Sequence, residues 1–158
     1  GFSLAGGVTS GNTEILGDEA DAFGLNAAYS ADSYGVAVAY VSDDMGASTE
    51  KTTWGLNGYY TFDLASLSVG YETQETGGTD SNGYFVGLSF PEVGPGSVNV
   101  AAATTGLFAD GATETLVYEA SYSYPINDGM SITPGIFIQE VDGSDDLTGV
   151  AVKTSFSF

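Results

Sequence analysis

Apolar and small or polar residues alternate along most of this chain with a period of two. The clearest run is 148–158, TGVAVKTSFSF. Phe158, Phe156, Thr154, Val152 and Val150 take every second position, and Ser157, Ser155, Lys153, Ala151 and Gly149 lie between them. Such a period sends the two sets to opposite faces of a β-strand. The same reading predicts ten strands, at 2–8, 22–30, 34–42, 52–62, 65–73, 82–90, 97–105, 115–124, 130–140 and 148–158. The segment 97–105 has the weakest alternation, because VNVAAATT offers little contrast. Pro134 removes one ladder donor inside the ninth strand, and with Gly135 it predicts a bulge.

The connections sort into two kinds. Short ones rich in Asp, Asn, Gly and Pro fall at 31–33, 62–64, 91–96 and 125–129, as hairpin turns require. Longer acidic ones fall at 10–21, 43–51, 74–81, 106–114 and 141–147. The two kinds alternate strictly. Transmembrane β-barrels of the outer-membrane type have short turns on one rim and longer extracellular loops on the other. The predicted fold class is therefore all-β, an antiparallel transmembrane β-barrel with both ends of the chain at the short-turn rim.

The two faces differ in chemistry. One reads Phe23, Leu25, Ala27, Tyr29, then Tyr34, Val36, Val38, Tyr40, then Trp54, Leu56, Gly58, Tyr60. The other reads Gly24, Asn26, Ala28, then Gly35, Ala37, Ala39, then Gly55, Asn57, Tyr59, Thr61. Aromatic residues of the apolar face sit at strand ends. Tyr34, Tyr60, Tyr122, Tyr124 and Phe158 mark the short-turn rim; Tyr40 and Trp54 mark the long-loop rim. Two such bands around an aliphatic belt match the interfacial girdles of a barrel. Six residues separate Tyr34 from Tyr40, roughly 20 Å along a strand and about 15 Å in height after tilting, short of the ~25 Å apolar band.

The stretch Tyr118–Phe158 carries a resemblance. Its Tyr-rich strand, the PIND turn, the Ser-Ile-Thr-Pro-Gly sequence and the Thr-x-Phe-x-Phe ending are similar to the end of cyanobacterial porins of the carbohydrate-porin type, some of which are called iron uptake porins. The resemblance implies a barrel of about sixteen strands, so that residues 1–158 would be one β-barrel domain, the C-terminal part of a longer chain. It places upstream strands and a periplasmic domain before Gly1, whose sequence GFSLAGGVTSG reads as a mid-barrel strand. It further implies an outer-membrane location among lipid and lipopolysaccharide, with the acidic loops extracellular. The barrel assembly machinery would engage the Phe158 strand, and a homotrimer is common among porins. The implied function is passive diffusion of carbohydrates or inorganic ions, iron included, with no cofactor.

Composition narrows the rest. The 158 residues fit one domain. Two basic and 21 acidic residues give a net charge of −19, which argues against nucleic acid as a partner. Without His or Cys, neither Ser-His-Asp and Cys-His catalysis nor thiolate and imidazole metal sites can be built. No apolar run approaches the ~18 residues of a membrane helix. Gly77-Gly78 and Gly94-Pro95-Gly96 lie between strands without a following helix, so neither is a phosphate loop. No enzyme is expected.

Three groups of residues remain as candidates. Asp142, Asp145 and Asp146 supply oxygen ligands beside Gly143, but they lack the full calcium-loop spacing and its closing Glu, so no metal is expected there. Glu72, Glu119 and Lys153 fall on the polar face, where wall charges set ion selectivity. With the acidic loops they predict a cation-preferring pore. Tyr59, Phe85 and Phe137 are aromatic rings on that same face, suited to a sugar track or to simple packing. Two other readings compete: a small complete barrel serving as anchor or adhesin, and a secreted acidic β-sandwich acting as a binding module.

Overall fold

The computed structural model describes residues 1–12, 19–43, 50–109 and 111–157. Eleven strands form one antiparallel sheet: β1 (Phe2–Asn12), β2 (Glu19–Ser30), β3 (Tyr34–Asp43), β4 (Lys51–Thr61), β5 (Ser66–Thr76), β6 (Thr79–Val93), β7 (Gly96–Thr104), β8 (Phe108–Ala109), β9 (Thr115–Asn127), β10 (Met130–Val141) and β11 (Leu147–Phe156). Ten of them follow one another as a meander in chain order, and the two-residue β8 pairs beside β6. Among the described residues, β1 pairs only with β2 and β11 only with β10.

Among the described residues the sheet has no second layer. Ala65 is the sole buried hydrophobic residue among those described. Trp54 is 52% exposed and Phe62 51%. The accessible surface is 10550 Å², against about 7,500 Å² for a compact soluble chain of this mass. A β-sandwich buries one face of each sheet against the other. The described residues bury neither, so their apolar face needs a solvent other than water. The strands supply the reach: the meander strands run from 9 residues in β7 to 15 in β6, and a tilted transmembrane strand needs about 9–11.

The register bears out the two predicted faces of β2, β3 and β4 and carries them on to β11. Leu25 pairs with Tyr40, Tyr40 with Trp54, Leu56 with Tyr71 and Tyr71 with Tyr84. Val100 then pairs with Ala120, Ala120 with Ile136 and Ile136 with Val150. In β1, Phe2 and Leu4 join the same apolar face opposite Tyr29 and Ala27. The weakly alternating 97–105 is a regular strand, β7, held from both sides by β6 and β9. Tertiary pairing supplies what its own pattern lacks.

Two expectations fail in detail. The 74–81 connection is no long loop. β5 and β6 continue to Thr76 and from Thr79, joined by Gly77 and Gly78 at φ 60° and 80°. Positive φ at both central residues makes a two-residue hairpin turn matched to the strand twist. Pro134 makes no bulge: it pairs with Val152 in unbroken register. The register shift lies instead between Met130 and Ser131, where Ile126 of β9 is the extra residue. Thr133 Oγ1 bonds Ser123 Oγ at 3.1 Å, joining β10 to β9 at the level where the proline offers no donor. Lys51 opens β4, so the strands carry a cation besides Lys153.

Candidate functional site: the polar face of the sheet

The apolar face frames this site, so its aromatic bands come first. Tyr29 and Tyr34 lie 5.8 Å apart between ring centroids, Tyr60 and Phe62 4.7 Å, and Tyr122 and Tyr124 6.5 Å, all beside the short connections. Phe23–Tyr40 at 5.6 Å and Tyr40–Trp54 at 4.5 Å form the opposite band. The Tyr122 hydroxyl donates to the Val93 carbonyl at 3.0 Å, tying its band to the β6–β7 turn. Phe158 lies outside the described residues.

The polar face is slim. Its three rings lie against the backbone rather than standing away from it. Tyr59 pairs with Gly35, Phe85 with Gly70 and Phe137 with Gly149. In each pair a Cβ on the glycine would fall inside the neighbouring ring. The ring thus occupies the space that a glycine leaves open, which covers exposed backbone on a strand.

Glu72, Glu119 and Lys153 are all exposed on this face, in two separate places. Glu72 in β5 has Gly55 on one side and Gly83 on the other. No side chain rises from either cross-strand neighbour. Glu119 in β9 stands between Ala101 and Phe137. With Phe137 and Lys153 it lines a groove of about 200 Å³ along β9–β11. Lys51 sits at the long-connection end of β4, directly opposite Asp43.

One feature of this face escaped sequence reasoning. After Thr104 the chain leaves the ladder, then rejoins β6 at β8, where Phe108 pairs with Asn82 and Ala109 with Ser81. The Thr104 hydroxyl takes the ladder's place, accepting from the Tyr84 N–H at 3.1 Å and donating to its carbonyl at 3.4 Å. Residues 105–107 fold over the polar face. A Cβ on Gly83 would meet the Gly106 carbonyl and Leu107 Cδ2 at 2.9 Å each. The sequence signal was present as a glycine facing a glycine-containing loop, but only the register shows that the two meet.

The long-connection rim is acidic on both faces. Glu75 pairs directly with Asp80 on the apolar side. Glu114 lies beside Tyr84 and Tyr118, and Glu140 beside Tyr118. Asp142, Asp145 and Asp146 are exposed on the β10–β11 connection, where Gly143 turns the chain at φ 77°. Among the described residues no three or more acidic side chains converge as a metal site would require.

Comparison with known proteins gives these observations a family. Residues 1–146 match a family model described as Gram-negative porin. No curated protein matches the chain in sequence. Among solved structures, a porin refined at 1.8 Å resolution superimposes with a TM-score of 0.75 at 18% identity. The match covers 98% of this chain and 57% of that one, so the chain spans little more than half of the porin's length. That likeness is one of fold.

Proposed function

We propose, from the premise that the chain belongs to the Gram-negative porin family, that its polar face lines a water-filled outer-membrane channel for passive diffusion of small hydrophilic solutes. The observation that carries this reading is the single-layered sheet. Its apolar face has two aromatic bands and stays exposed, as a lipid-facing wall does. Its other face is kept open by glycine, alanine and serine. Nothing in such a channel requires turnover or a cofactor.

The finer assignments follow the same reading. Glu72, Glu119, Lys153, Tyr59 and Phe137 line the pore, and the apolar-face tyrosines with Trp54 sit at the lipid headgroups. The acidic rim faces the outside. The net charge of −19 supports cation preference, by raising the local concentration of cations. The one-sided pairing of β1 and β11 supports a larger barrel completed by further strands. The resemblance of 118–158 to cyanobacterial porins supports carbohydrate or inorganic-ion uptake, iron included. It also supports a trimer, and recognition of the Phe158 strand by the assembly machinery.

The test is reconstitution of the full-length protein in a planar bilayer under a KCl gradient. Stepwise conductance with a reversal potential on the potassium side is expected. Absence of conductance would overturn the channel, and a reversal potential favouring chloride would overturn its cation preference.

A further inference from the structure

We infer that the recess around Glu72 is a binding site for a small alkylammonium cation, resting on the proposed assignment of the polar face to the channel lumen. The recess has a volume of about 420 Å³, within the range of about 300–1,000 Å³ typical of small-molecule sites. Its floor is glycine: Gly55, Gly70 and Gly83 contribute no side chain. The fold of residues 105–107 over Gly83 gives it a roof on one side.

Three kinds of group converge there, and each recognises a different part of one ligand class. Glu72 supplies a negative charge, and neither cross-strand neighbour carries a side chain to compensate it. Phe85 supplies a ring that lies over Gly70 and lines the recess, where a cation can meet it. Leu107 supplies an apolar wall, and the Gly106 carbonyl is an acceptor over Gly83, beside Glu72. A carboxylate alone suits any cation. A carboxylate with a ring and an aliphatic wall favours a cation that carries carbon, because only that ligand gains from all three. A bare metal ion gains little from Phe85 and Leu107. An anion is repelled by Glu72.

The groove along β9–β11 serves as an internal control. It also has a carboxylate and a ring, Glu119 and Phe137, but Lys153 lines it as well, and its lining comes from β9, β10 and β11 alone. A cation entering it is opposed by the lysine.

The test is block of potassium current by choline and by tetramethylammonium, measured on the full-length protein in a planar bilayer. Both probes are expected to reduce the current in a concentration-dependent way. Glu72→Gln, which keeps shape and removes charge, is expected to weaken the block roughly tenfold. Phe85→Leu is expected to weaken it about threefold while leaving the potassium-to-chloride reversal potential in place, since ring and charge act separately. Glu119→Gln is expected to weaken the block by no more than about twofold. Conductance without block, or block lost equally in Glu119→Gln and Glu72→Gln, would overturn the site while leaving the channel standing. Absence of KCl conductance would overturn both.

Discussion

Glu72 and Glu119 share a face, a sheet and a neighbouring aromatic ring, yet they stand in different company. Glu72 rises from a glycine floor with no side chain on either cross-strand neighbour. Glu119 is flanked by Ala101 and Phe137, in a groove that Lys153 also lines. The difference teaches that a wall charge is not defined by its own residue. Two glycines leave the first carboxylate open to solute, and one lysine offsets the field of the second. An acid count of the strands treats them as equals; the register does not.

Charge reversal tests that contrast most severely. Glu72→Lys is expected to shift the reversal potential toward chloride by much more than Glu119→Lys, because the latter adds to a cation already present. Equal shifts would show that Lys153 compensates nothing. The glycine seats give the next largest effect. Gly70→Ala and Gly149→Ala would each force a ring off the strand, at a cost of about 1–3 kcal/mol, the usual penalty for overpacking. Both variants should unfold at lower urea concentration and conduct less, as the ring swings into the lumen. Full conductance in Gly70→Ala would mean that Phe85 has another place to lie.

Lys153→Gln sharpens the comparison from the other side. It should raise the potassium-to-chloride permeability ratio by about twofold or less, making the Glu119 region resemble the Glu72 region. The smallest effect is expected away from both acids. Gly77→Ala places a side chain at φ 60° and should cost about 1–2 kcal/mol in unfolding experiments, with selectivity unchanged.

Much of the fold was legible because a strand's period is two and its faces follow from counting. The faces of β2, β3 and β4 follow correctly from alternation alone. The 97–105 segment shows where counting weakens, since VNVAAATT has side chains of similar size on both faces and takes its order from β6 and β9. The 74–81 connection failed for another reason. Thr, Asp, Glu and Ser there resemble a loop, but Gly77-Gly78 can close a hairpin in two residues, which keeps those polar residues in the ladder. Pro134 misled because its missing donor is accommodated without shifting register, while the unmarked Ile126 bulges.

The candidate site was legible residue by residue and not as an arrangement. Glu72, Glu119, Lys153, Tyr59 and Phe137 each lie on the face expected. Which glycine each ring covers, and which acid has a lysine in its groove, depend on pairings between strands. The overhang at 105–107 depends on a contact with Gly83 about twenty positions away in the chain, a separation that no short pattern spans.

The seating of the rings on glycine has a spectroscopic consequence. Protons held close to an aromatic ring are shifted by its ring current. The α-protons of Gly35, Gly70 and Gly149 should therefore resonate apart from those of Gly55, near whose Cβ position no other group lies. Each shifted signal belongs to one ring. Glycine-labelled protein in lipid nanodiscs would thus report separately when Tyr59, Phe85 or Phe137 lifts from its seat as solute passes.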